Sequence, residues 1–242
     1  MFPFRDHNPS NRIPYVTYAL IAINIIVFLL HLDPAVQNEF YGKYALVPVW
    51  IAEGHDYEDF ITSLFMHGGW MHLIGNMLFL WIFGDNIEDT LGHVPFLIFY
   101  LVCGVIASLS HVLLNLDSNI PLIGASGAIA GVMGAYWLLF PRAKVDVLLI
   151  LIIFVRVFSI PAFFVLTVWL GMQVFSGFST ASGGGGVAYW AHFGGFIAGV
   201  LFMFPIWRSR GAKTFWHKND YVPPYPAAPT ISYGKVPTIK RR

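Results

Sequence analysis

Charge is what this sequence has least of. Of its 242 residues only 11% are Asp, Glu, Lys or Arg, against roughly 25% in a soluble globular domain. A surface facing water cannot be covered with so few. The 14 basic and 13 acidic residues leave a net charge of +1, so composition excludes a nucleic-acid binder, an acidic or basic tail protein and a disordered chain. Cysteine is nearly absent too: Cys103 stands alone, which rules out a disulfide framework. No HExxH string occurs, and neither Asp nor Cys joins His67 and His72 at a common depth, so the ligand count for zinc falls short and no metal is expected. What is abundant is apolar: 57% of the chain is hydrophobic. The solvent for most of its surface should be the lipid bilayer.

A helix that crosses a bilayer needs about 20 mostly apolar residues. Segments 15–32, 70–83, 94–114, 125–140 and 187–207 qualify. The first has no small-x-small cleavage pattern after His31 and is followed by further apolar spans, so it reads as an uncleaved helix and not as a signal peptide. The stretch 145–177 is too long for one span and contains Arg156 and Pro161. A charge at mid-bilayer costs about 2.5–3.5 kcal/mol or more, so Arg156 belongs near an interface. Residues 147–155 then form a short re-entrant or interfacial piece, and a further helix begins near Ser159 with proline in its first turn. The expected fold class is all-α: a polytopic membrane protein with a bundle of six transmembrane helices.

Basic residues set the orientation. Arg5 and Arg12 precede the first helix, Arg142 and Lys144 follow the fourth, and eight Lys and Arg follow the sixth. All fall on one side of an even-numbered bundle, and the other side holds Lys43 alone. The positive-inside rule therefore puts both termini in the cytoplasm. Three parts are expected: a cytoplasmic segment 1–13, the bundle 14–207, and a Pro-rich basic tail 208–242 that reads as disordered.

The informative residues are the polar ones inside spans, because lipid makes them expensive. For Asn24, Ser108 and His111 the expected role is a helix–helix hydrogen bond. Four others fall at one depth. Ser126 lies about 21 Å, and His192 about 22 Å, from the inner ends of their helices at 1.5 Å per residue. His72 is about 18 Å up its own helix, with Asn76 one turn further along the same face. Gly127, Gly131 and Gly134 follow Ser126, and Gly195 and Gly199 follow His192. Small residues at such spacing let membrane helices pack backbone to backbone, which a short Ser needs to reach a His.

Those four side chains suit one chemistry. Ser126 stands in Gly124-Ala125-Ser126-Gly127, after a loop marked by Pro121 and Gly124. At a helix start the backbone N–H groups are unpaired and favour a developing oxyanion. His192 is the candidate base and then acid. No carboxylate lies at that depth on these three helices, so a Ser–His dyad is expected. His72 and Asn76 are neutral donors fit for an oxyanion hole. The charge-free loop 183–186 and the long outer segment 33–69 are expected to cover a water-filled cavity.

With these residues in place the chain resembles the rhomboid intramembrane serine proteases. The likeness runs over about residues 62–204. It is carried by His67-Gly68-Gly69-Trp70-Met71-His72-Leu73-Ile74-Gly75-Asn76, by Phe83-Gly84-Asp85-Asn86-Ile87-Glu88-Asp89, by Gly124-Ala125-Ser126-Gly127, and by Ala191-His192-Phe193-Gly194-Gly195 with Gly199. The resemblance implies a six-helix bundle and a Ser126–His192 dyad. It implies an oxyanion hole of His72, Asn76 and the Ser126 N–H, no cofactor, and cleavage of transmembrane protein substrates near their outer ends. It further implies that Glu88 is a structural polar contact, that His67 supports the outer loop, and that Trp169 belongs to a gating helix. The motif style suggests a prokaryotic plasma membrane, with an organelle membrane as the alternative. Two departures stand out. Ala130 sits where some members stack an aromatic ring on the catalytic His, so Tyr189 or Tyr136 is the expected substitute. Gly75 replaces a bulky residue, which widens the cleft.

Two competing readings carry less. A rhomboid-like protein that binds transmembrane clients with weak or no catalysis has no use for a costly buried His beside a Ser. A transporter should show an inverted repeat and a carboxylate within a span, and neither is seen.

Overall fold

A computed structural model describes residues 2–151, 154–179 and 188–218. In chain order the elements are strand β1 (Phe2–Asp6), helices α1 (Tyr15–Leu30), α2 (Pro34–Tyr44), α3 (Pro48–Ala52) and α4 (Asp59–Thr62), a 3₁₀ turn (Ser63–Phe65), and helices α5 (Trp70–Leu91), α6 (His93–Leu113) and α7 (Ser126–Leu139). There follow strands β2 (Lys144–Leu151) and β3 (Phe154–Pro161) and helices α8 (Ala162–Ser179), α9 (Tyr189–Ser209) and α10 (Lys213–Lys218). Among the described residues α6, α8 and α9 are long and apolar enough to cross a membrane, and α1 and α7 are shorter apolar helices. Ile26 and Leu30 on α1, and Val168, Met172 and Phe175 on α8, lie exposed. Such faces would be liabilities in water and are ordinary in lipid.

Helix α7 is the axis of the molecule. All its residues from Gly127 to Tyr136 are buried. Its glycines make this possible. A Cβ on Gly195 would run into the carbonyl oxygen of Gly127, and one on Gly199 into that of Gly131. On the opposite side a Cβ on Gly127 would come 2.6 Å from the Cβ of Ala107 on α6. The backbones of α7 and α9 therefore touch directly, in the small-residue manner of membrane helices.

Two features depart from the sequence expectation. Helix α5 runs to Leu91, two turns past Phe83. The added turns bury Asn86 and Glu88. Glu88 accepts from the backbone N–H of Val16 (2.9 Å) and Thr17 (2.8 Å), from Thr17 Oγ1 (2.7 Å), and contacts His93 Nδ1 at 2.6 Å. Helix α1 has no side-chain N-cap of its own, so Glu88 supplies a carboxylate to its positive end from across the bundle.

The second departure is a sheet. The chain is mostly helical, but the described part of the stretch expected as re-entrant or interfacial, residues 147–151 and 154–155, lies in strands β2 and β3 of a three-stranded antiparallel sheet of order β1-β2-β3. Alternation explains it: Val145 and Val147 enter the core, while Asp146 between them faces the other way. Asp146 holds the sheet together. It accepts from Ser159 Oγ (2.5 Å) and from Arg5 Nη2 (2.7 Å), and its other contact is His7 Nε2 (2.8 Å). Those hydrogen bonds, Ser159 first, hold its carboxyl below the usual range. Segment 1–13 is thereby tied to the bundle by its first strand. Of the 208–242 stretch, 213–218 form α10, whose Phe215 is buried and whose Trp216 donates to the carbonyl of Leu138 (3.2 Å).

At the junction of sheet and bundle, Tyr136 donates its hydroxyl to Asp6 Oδ2 at 2.7 Å. Burial pushes the Asp6 carboxyl up to about 7, against the opposing effect of the Tyr136 bond. A carboxyl whose folded pKa is raised stabilises fully below its unfolded value of 3.8 and loses that contribution as pH rises to about 7. The thermal midpoint in detergent is therefore expected to fall between pH 5 and pH 8. Asp6→Asn is expected to narrow the difference, and an unchanged difference would refute this account of Asp6.

Candidate active site

Two elements aim Ser126. The loop before it is pinned by a mutual backbone pair between Leu46 and Leu122 (3.2 and 2.7 Å) and by Gly124 N–H donating to Ser63 O at 2.9 Å. Gly124 has φ +121°, in the region that favours glycine, and a Cβ there would lie 2.7 Å from His72 Nε2. The chain then turns into α7, whose first residue is Ser126. The N–H groups of this first turn are without intrahelical partners.

Helix α9 brings His192 to the same place. Its Nε2 lies 2.7 Å from Ser126 Oγ. His192 is 9% exposed, on the wall of a cavity of about 980 Å³ that His72, Asn76, Ser126, Trp169 and His111 also line. The four residues expected at one level are thus brought together around one cavity. His72 Nδ1 accepts from Gly68 N–H at 3.3 Å; a neutral imidazole so engaged carries its proton on Nε2, the atom that faces Gly124. Asn76 Nδ2 is buried and has no hydrogen-bond partner among the described residues, 3.7 Å from where a Gly124 Cβ would stand. Asn76 also lines the cavity beside Ser126, so an oxyanion formed there could accept from this donor.

Around this centre other expectations are refined. His67 is fully buried, and its carbonyl receives His31 Nε2 (3.1 Å) and Tyr41 Oη (3.4 Å), which ties α1 and α2 to the start of α5. Burial first, then the neighbouring His72, pushes the His67 ring down to about 3, so it stays neutral. Asn24 does not bridge helices: its amide donates to Leu20 O of its own helix at 2.8 Å. His111 lines the cavity, and its Nδ1 lacks a partner among the described residues. Loop 183–186, expected as a cover, lies outside the described residues.

The imidazole is supported from an unexpected direction. Tyr136 sits about 15 Å down α7 from Ser126 at 1.5 Å per residue, its ring packed on Phe83 and Phe140. It cannot reach His192. The nearby aromatic is Trp169 on α8, with ring centroids 5.7 Å apart and tilted by 38°. One turn further along α8, Gln173 Oε1 lies 2.7 Å from His192 Nδ1. Sequence reasoning passed over Gln173, although a carboxamide within an apolar helix, four residues after Trp169, is a detectable signal.

Fold and site together define a helical membrane protein with a serine at a helix start, a histidine in contact with it, and a donor beside them that has no partner among the described residues. The Rhomboid domain model matches residues 54–209. The chain is 33% identical over 210 residues to Rhomboid protein 1, mitochondrial, of Saccharomyces cerevisiae, covering 82% of this chain and 54% of that one. It is 30% identical over 210 residues to Presenilin-associated rhomboid-like protein A, mitochondrial, of Danio rerio, covering 82% and 51%. Rhomboid protease GluP of Bacillus subtilis is 34% identical over 129 residues, 52% of this chain and 25% of that one. This chain belongs to the rhomboid family. It spans about half the length of the two mitochondrial relatives, and their names give no support to the prokaryotic plasma membrane suggested by the motif style.

Proposed function

We propose that the protein is an intramembrane serine endopeptidase that cuts transmembrane substrates near the level where α7 begins. The observation that carries the reading is the 2.7 Å contact between Ser126 Oγ and His192 Nε2, with Asn76 Nδ2 nearby and without a partner among the described residues. We read α1, α5, α6, α7, α8 and α9 as six spans, with both termini on the basic side. Substrate enters past α8, which buries only Ala162, Leu166 and Gly177 along its length. Such a loosely held helix is the one that moves at least cost.

In the reaction Ser126 Oγ attacks the scissile carbonyl carbon while its proton passes to His192 Nε2. The carbonyl oxygen becomes an oxyanion and accepts from the Ser126 N–H, Asn76 Nδ2 and His72 Nε2. As the C–N bond breaks, His192 returns the proton to the leaving amine, and the acyl group stays on Ser126. Water from the cavity repeats the cycle, giving its proton to His192 and its hydroxyl to the acyl carbon. The product acid leaves and Ser126 recovers its proton.

The test is cleavage of a transmembrane substrate in liposomes by wild type and by Ser126→Ala. Cleavage by the wild type and none by the variant is expected. Cleavage that survives Ser126→Ala would sink the reading, and a wild type that binds the segment without cutting it would replace it with client binding.

A further inference from the structure

The hydrogen-bond chain at the site does not stop at His192. Ser126 Oγ lies 2.7 Å from Nε2, and Gln173 Oε1 lies 2.7 Å from Nδ1. A neutral imidazole offers one donor and one acceptor, and a carboxamide oxygen can only accept. The contact with Gln173 therefore keeps the ring proton on Nδ1 and leaves the Nε2 lone pair toward the serine hydroxyl. In the other tautomer an Nε2–H would face Oγ, and the ring could not take the serine proton. Gln173 and Trp169 stand four apart on one face of α8, so a single helix supplies both a hydrogen bond to the imidazole edge and an aromatic ring beside it. On the same helix Val168, Met172 and Phe175 are exposed. A carboxamide among them is costly unless its polar atoms are met, and His192 meets the oxygen.

We propose that Gln173 is a positioning residue for the Ser126–His192 pair, holding His192 in its Nδ1–H tautomer from the neighbouring helix. It does the orienting part of what a carboxylate does in a Ser-His-Asp triad. Being neutral, it adds no full charge opposite the imidazolium. Its removal should therefore weaken catalysis without abolishing it. This inference rests on the proteolytic reading for its kinetic consequences, but not for the tautomer itself.

The experiment compares wild type, Gln173→Met, Gln173→Glu and Ser126→Ala in liposomes. Four quantities are read: kcat and KM on a transmembrane substrate, the rate of Ser126 labelling by a fluorophosphonate, and the ¹⁵N signature of His192 in histidine-labelled protein. The His192 signal is assigned as the one lost in His192→Ala. Methionine keeps length and suits lipid but cannot accept the Nδ1–H. Gln173→Met is expected to lower kcat and labelling about 3- to 10-fold, the worth of one neutral hydrogen bond, with KM unchanged. Its ¹⁵N signature should move from Nδ1–H toward a tautomer mixture. Gln173→Glu, which keeps an acceptor, should restore the wild-type tautomer and most of the rate. Wild-type labelling in Gln173→Met, or an Nδ1–H signature that persists there, would overturn the proposal. A rise in KM at unchanged kcat would also overturn it, since that would make Gln173 a substrate contact. If wild type neither cuts nor labels while the tautomer still shifts in Gln173→Met, the proteolytic reading fails and the positioning of His192 by Gln173 stands.

Discussion

Ser126→Ala and His192→Ala are each expected to lower kcat/KM by about 10⁴–10⁶-fold, and the double variant to lose no more than either. The two side chains form one proton-transfer unit, 2.7 Å across. Without the imidazole the hydroxyl has no base. Without the hydroxyl the base has no nucleophile to activate. Once one is gone, the other has nothing left to contribute. Single-turnover cleavage in liposomes measures all three losses, and each variant is to be checked for an intact thermal midpoint. Folding should survive Ser126→Ala, because Ser126 begins α7 beside the cavity and the buried glycine face lies beyond it. Losses that multiply in the double variant would mean that the two residues act separately, and the dyad would have to be abandoned.

What was readable from sequence follows from the rigidity of helices. A fixed rise per residue turns spacing into depth, so counting along α7 and α9 sets Ser126 opposite His192, while the count for His72 and Asn76 starts two turns short of the end of α5 at Leu91. The glycine spacing adds that α7 and α9 touch. What depth cannot supply is rotation. Nothing in the α8 sequence fixes which neighbour Gln173 faces, because that depends on how α8 is turned against α9. Tyr136 is the opposite case: ten residues after Ser126 place it about 15 Å along α7, so spacing alone excludes it as a partner for His192. The sheet is hidden for another reason. Apolar residues dominate 145–155, so alternation is faint, and the strand that completes the sheet lies at the other end of the chain, with Arg5 and Asp146 separated by 141 positions. Glu88 is the intermediate case. A carboxylate near the end of a span announces a polar contact, but its partners at Val16 and Thr17 are visible only once α1 lies against α5.

Asn76→Ala should separate activity from stability. Its Nδ2 is buried, in a residue 7% exposed, and has no partner among the described residues. An unmet buried donor destabilises a fold by about 1–3 kcal/mol, and such a group persists where it serves the reaction. In the transition state the same atom gains an anionic acceptor, and losing one such donor lowers kcat about 10²–10³-fold. The substrate carbonyl is bound more weakly than the oxyanion, so the loss should fall on kcat with little change in KM. At the same time the thermal midpoint should hold or rise, because alanine leaves no polar atom unpaired there. A purely structural Asn76 predicts the opposite: a lowered midpoint, with activity falling only as far as folding does. Measuring kcat, KM and the midpoint on one preparation of Asn76→Ala decides between them, since only a donor reserved for the oxyanion slows the enzyme without weakening the protein.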